Sequence, residues 1–200
     1  MEKNRLEAFS DGVIAVIITV LVLELKVPHS DRLEALLPVV PTFLSYVLSF
    51  VYVGIYWNNH HHMLQASRRV SGTVLWANLL LLFWLSLFPF TTAWMGENHF
   101  GALPSALYGF VLLMAALSYW LLQQTIIAVE GPQSFLKTAL GADWKGKASP
   151  VFYAIGIGAA FFEPRIAQAI YVGVALMWLV PDRRIERALA GKPRHERAGD

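Results

Sequence analysis

The side chains best equipped for chemistry in this 200-residue chain gather at two places. Arg5, Ser10 and Asp11 stand at the head of one apolar run, and His60, His61 and His62 follow one another at the end of a second. Three adjacent histidines suggest a metal. However, neighbouring helical positions point about 100° apart, so the three cannot converge on one ion, and no acidic residue or cysteine stands beside them. No metal is expected there. A hydrogen-bond network joining Arg5, Asp11, Trp57 and one or more of the histidines is the preferred reading, and imidazoles would make it proton-sensitive. The chain has no cysteine, which excludes disulfides, thiolate metal sites and cysteine nucleophiles. No nucleophile–base spacing stands out, so neither an enzyme nor a cofactor is expected. Glu24 and Lys26 read either as a helix-end charge pair or as flanks of a pore mouth.

The elements that carry these residues are apolar. The chain is 56% hydrophobic and 15% charged, with a mean hydropathy of +0.49. A soluble domain carries about a quarter charged residues and shows water a polar face on each helix. Here long windows have none, which makes lipid the expected solvent. A span needs roughly 20 apolar residues. Runs at about 6–27, 36–58, 70–94 and 103–129 meet that length. Pro38 and Pro41 fall in opening turns, Pro89 near the far end of the third run, Pro104 at the start of the fourth, and Gly131-Pro132 after it. Two shorter runs, 150–162 and 166–180, flank Glu163-Pro164-Arg165, a turn too costly to bury in lipid. They read as two short spans, with a re-entrant hairpin as the alternative. Ala154 with Gly158, and Gly156 with Ala160, give the small-residue spacing that brings helices close. The expectation is an all-α membrane protein with six transmembrane helices in residues 1–182 and a basic cytoplasmic tail over 183–200.

Charge sets the orientation. One side receives thirteen Lys/Arg, among them Lys3, Arg5, Arg68, Arg69, Lys137, Lys145, Lys147 and those after Pro181; the other receives Lys26, Arg32 and Arg165. The richer side should be cytoplasmic and hold both termini. The tail either lies along anionic headgroups or is simply solvated. Trp57, Trp94, Tyr108, Trp144 and Trp178 read as interfacial anchors. A formal charge of +2 points to no nucleic-acid partner.

On a helical wheel Arg5, Gly12, Val16, Thr19 and Leu23 share one face, with Val20 beside it. Two readings fit. The stripe is ordinary packing and Thr19 bonds its own i−4 carbonyl, or the stripe walls a pore with Thr19 as the one side-chain oxygen.

Here a resemblance enters. Arg5-x-x-x-Phe9-Ser10-Asp11, leading into an Ile/Val-rich helix that ends Leu-Glu-Leu-Lys-Val-Pro, resembles the bacterial branch of the lysosomal potassium channel family known as transmembrane protein 175. Trp57-Asn58-Asn59-His60-His61 is similar to that family's W-x-N-H-H pattern, and Asn78 through Pro89-Phe90-Thr91 is a weaker match. The resemblance implies a homotetramer whose first helices line one central pore, with no Thr-Val-Gly-Tyr-Gly filter loop. Val16 maps to the narrowest ring, Thr19 to a polar ring one turn on, and Val20 and Leu23 to outer apolar rings. Val16 is smaller than the Ile or Leu usual at that ring, which leaves Leu23 as the other choice for the narrowest point. The motif residues Arg5, Phe9, Ser10 and Asp11, with Trp57, Asn59, His60 and His61, would form the network that holds the pore helix.

The implied function is a potassium-permeable, leak-type channel in a bacterial inner membrane, closed by a hydrophobic constriction that gates by dewetting. Potassium is the permeant ion near Val16, Thr19 and Leu23, not a cofactor. A proton-conducting or ion-coupled transporter is the alternative. Transporters usually show internal repeats and broken helices; no repeat is visible, and Thr19 is the one midplane polar group of the first helix.

Overall fold

In a computed structural model of the chain, residues 3–67, 70–131, 134–140 and 143–179 are described. The tail 183–200, the boundary at 182, and Arg68 and Arg69 lie outside them. The described residues form helices and turns, without a strand. In order they are α1 (Lys3–Leu23), a 3₁₀ helix (Leu33–Val39), α2 (Val40–Ala66), α3 (Gly72–Ser86), α4 (Phe88–Glu97), α5 (Ala102–Glu130), a short α6 (Phe135–Leu140), α7 (Trp144–Ala160) and α8 (Pro164–Leu179).

Four helical segments are long and apolar enough to cross a membrane: Lys3–Leu23, Leu33–Ala66, Gly72–Glu97 and Ala102–Glu130. They match the four long runs, with three differences. The first helix stops at Leu23, short of residue 27. The second continues to Ala66, so the three histidines sit inside α2 and not at its end. The third is broken at Leu87 (φ −85°, ψ −8°). Pro89 explains the break: it has no N–H for the Leu85 carbonyl, and its ring collides with that group in an unbroken helix. The turn closes instead through the Leu87 N–H, which donates to the Trp84 carbonyl at 3.3 Å. The two short runs appear as α7, which begins six residues before Pro150, and α8, joined by the exposed turn at Glu163.

Lipid offers helices no hydrophobic reason to associate, so close packing and hydrogen bonds must hold them. Both are present. Gly156 lies against the Tyr171 ring, where a Cβ would come within 2.5 Å of Cε1, and Gly109 faces the Tyr171 hydroxyl. Ala160 is buried with them, whereas Ala154 and Gly158 face outward, so one of the two small-residue pairs serves packing. A polar seam runs through the bundle. Ser45 Oγ donates to the Thr92 carbonyl (3.1 Å), and Ser49 Oγ meets Thr92 Oγ1 (2.6 Å) and Tyr108 Oη (3.0 Å). Tyr52 Oη donates to the Tyr171 carbonyl (2.6 Å), tying α2 to α8. Tyr108 is therefore an interior residue, 1% exposed, and not the interfacial anchor its place near a helix start suggests.

Candidate functional site

The site is built on α1, which carries two faces. Leu6, Ser10, Ile14, Ile17 and Leu21 are buried against the rest of the bundle. Arg5, Phe9, Gly12, Val16, Thr19 and Leu23 form a second stripe that is exposed along its whole length. Its steps alternate between four and three residues, the spacing of a helix seam that faces another helix. Val16 is 60% exposed and Leu23 78%. Val20 is half-buried at the stripe's edge. Ala8, Phe9, Gly12, Val16 and Val20 line an open apolar groove that Ser86 and Pro89 close on its other side.

Thr19 Oγ1 donates to the Val16 carbonyl at 2.8 Å. The expectation for an ordinary helix threonine is a bond to its i−4 carbonyl; the bond is to its own backbone but one position nearer, at i−3. It also engages the hydroxyl hydrogen and leaves the oxygen's remaining lone-pair capacity facing away from the helix.

The residues proposed to hold α1 in place separate into two groups. In the first, Trp57 Nε1 donates to Asp11 Oδ1 at 3.0 Å, and the His61 ring stacks on Trp57 with centroids 6.3 Å apart. His61 Nε2 also meets Gln65 Nε2 at 2.9 Å. In the second, which is buried, Ser10 Oγ donates to the Leu6 carbonyl (2.8 Å), Asn78 Nδ2 donates to Ser10 Oγ (2.9 Å), and His60 Nε2 lies 2.7 Å from Asn78 Oδ1. The donor directions determine the tautomer. The Ser10 hydrogen goes to Leu6, so Ser10 must accept from the Asn78 amide nitrogen. Asn78 Oδ1 then faces His60, whose Nε2 must carry the hydrogen. Three helices are thereby pinned through one asparagine.

Three residues expected in the network, Arg5, Asn59 and Phe9, stand outside it. The Arg5 guanidinium makes no hydrogen bond or ion pair with the described residues; it extends the exposed stripe. Asn59 turns away from α1: its Nδ2 donates to the Ile55 carbonyl (2.9 Å), and its own carbonyl accepts from Tyr119 Oη (3.2 Å). Phe9 is 52% exposed and lines the groove. Among the described residues no three His, Asp or Glu side chains are grouped so as to hold a metal.

The outer end of α1 is tethered differently from expectation. Lys26 Nζ pairs with Glu97 at the end of α4 (2.6 Å), not with Glu24. Glu97 holds the Lys26 ammonium above its usual pKa, first by the hydrogen bond and then by charge. Both partners are solvent-exposed, so the pair adds little stability. At the opposite end Lys3 Nζ donates to the Gln65 carbonyl (3.2 Å).

Helices of this length and polarity, pinned by an interior polar seam, define a multi-pass α-helical membrane protein. The family model for the endosomal/lysosomal potassium channel TMEM175 matches residues 5–89, the segment that holds the stripe and both hydrogen-bonded groups. A protein of Chryseobacterium sp. (strain P1-3), named a potassium channel, is 54% identical over 94% of this chain and 98% of its own length. A Gallus gallus protein named an endosomal/lysosomal proton channel TMEM175 is 40% identical over 32% of this chain and 15% of its own length. The crystal structure of a lysosomal potassium-selective channel TMEM175 homolog from Chamaesiphon minutus superposes with a TM-score of 0.77 at 25% identity, covering 90% of this chain and 97% of that one. The chain belongs to the TMEM175 family, and the family and these relatives are ion channels, not enzymes.

Proposed function

We propose that this protein is a potassium-permeable channel whose pore is walled by α1 from four copies, set in a bacterial inner membrane with both termini cytoplasmic. The observation that carries the reading is the exposed stripe of α1. A helix already buried on one face presents a second apolar face, at seam spacing, which the described residues leave exposed apart from Ser86 and Pro89 along one edge. One stripe cannot enclose a narrow hole, so several copies must supply it. The relatives named as potassium channels give the permeant ion.

In this arrangement Val16, Val20 and Leu23 form apolar rings. Such rings cannot replace the water of an ion and act by dewetting. Thr19 lies between Val16 and Leu23 with its oxygen turned outward, and it replaces part of the lost hydration. Asp11–Trp57 and Ser10–Asn78–His60 set the helix's rotation, which decides what the rings present to the axis. α7 and α8 complete six spans.

The chain has no cysteine, which makes a direct test clean. Val16→Cys and Leu23→Cys are reconstituted in liposomes, and potassium flux is read before and after a cationic thiol reagent. Flux should fall to background for both and persist for Val22→Cys, which is exposed but off the stripe. Full labelling of Val16→Cys and Leu23→Cys with unchanged flux would refute the pore. The Gallus relative's name keeps a second reading alive, in which protons pass the same rings. A pH-sensitive dye inside the same liposomes separates the two. Flux that requires a coupled gradient would identify a transporter.

A further inference from the structure

A second groove lies on a different flank of α2 from Trp57, the residue that meets α1. Its walls are Leu44, Val47, Leu48 and Val51 of α2 and Val172, Leu176 and Leu179 of α8. Its floor includes buried Ala175, and the Tyr52–Tyr171 hydrogen bond ties the two walling helices together. The space is about 760 Å³, within the roughly 300–1,000 Å³ of ligand clefts. From Gln168 to Leu179 the α8 wall runs about 16 Å at 1.5 Å per residue. That is the depth of one leaflet of a hydrocarbon core about 30 Å thick.

One end of the groove is charged. Glu163 and Arg165 stand at its mouth beside His99. Both Glu163 and Arg165 are exposed. The Arg165 backbone N–H donates to Glu163 Oε1 (3.3 Å), while its guanidinium makes no ion pair or hydrogen bond among the described residues. Gln168 is spoken for: its Nε2 donates to Ser105 Oγ at 2.9 Å. The mouth therefore offers one cation and one carboxylate, two residues apart, beside His99, and below Gln168 the slot is lined by apolar side chains.

We propose that this groove binds a bilayer phospholipid with a zwitterionic head, an acyl chain lying between α2 and α8, the phosphate on Arg165 and the head ammonium on Glu163. An anionic phospholipid satisfies Arg165 but is repelled by Glu163, and a fatty acid lacks the ammonium. The α1 stripe, on another flank, stays free for self-association.

The test is native mass spectrometry of the full-length channel, delipidated and titrated with phosphatidylethanolamine or phosphatidylglycerol. The wild type should retain phosphatidylethanolamine about tenfold better, a difference of about 1.4 kcal/mol. Arg165→Gln should weaken both lipids about tenfold, and Glu163→Gln should remove the preference. Both positions are exposed, so neither change threatens folding. Ala175→Trp, which fills the floor, should abolish retention. Equal binding of the two lipids by the wild type would overturn the proposal. So would undiminished binding by Arg165→Gln. If the wild type holds no lipid and Ala175→Trp alters the number of copies in the complex, the groove is an interface between copies and the lipid assignment fails.

Discussion

Thr19 illustrates how one hydrogen bond changes the meaning of a residue. Its hydroxyl hydrogen is committed to the Val16 carbonyl, so toward the outside it is an acceptor only. An acceptor favours a cation and offers nothing to an anion. A ring of such oxygens beside apolar rings lowers the barrier most for the ion that sheds water most cheaply. Thr19→Val keeps the shape and removes the oxygen; its potassium-to-sodium ratio, read from reversal potentials, should drop toward one. An unchanged ratio would take selectivity away from this residue. The hydrogen-bonded groups were only partly legible. Arg5, Ser10, Asp11, Trp57 and the histidines were picked out by type, but their assignment to two groups depended on Asn78, which lies 68 positions from Ser10. The family resemblance touches Asn78, but nothing in an apolar stretch says that it pins three helices. The motif points Arg5 inward, yet among the described residues it has no partner.

Among the helices, α7 and α8 depend on one ring. Tyr171 fits into the space left by Gly109 and Gly156. Its hydroxyl donates to the Ser105 carbonyl at 3.2 Å, and its own carbonyl accepts from Tyr52. Gly156→Leu forces a side chain into that ring and should destabilise the solubilised protein by about 1–3 kcal/mol. Gly158→Leu, two residues on, meets open space and should leave the melting temperature unchanged. Equal losses from the two would mean that the packing is not what the change disturbs. The long helices were readable because length and apolarity suffice to find a span. Pro89 alone does not locate the break at Leu87, because a bend and a helix end carry the same local signature. The interior seam was available in principle. Ser45, Ser49, Tyr52 and Tyr56 repeat at helical spacing along α2, a polar line on a helix with no water to face.

For the whole molecule, the α1 stripe stays exposed among the described residues, and the proposed pore needs several copies to enclose it. Native mass spectrometry of the solubilised complex should show four chains of 22.4 kDa. A monomer or dimer at all concentrations would remove the central pore while leaving the family assignment intact. The fold class and the family were legible from composition and from the Arg5–Asp11 motif. The number of copies was not, since it is a property of surfaces that meet between chains.

The bond from Tyr52 to the Tyr171 carbonyl joins positions 119 apart, and it bears on how the protein is made. During synthesis α2 enters the membrane long before α8 exists, so the Tyr52 hydroxyl must wait for its acceptor in a medium without water. A chain stopped before residue 164 would keep α1 and its motif, yet leave the Tyr52 hydroxyl without its α8 acceptor, an unfulfilled polar edge facing the bilayer.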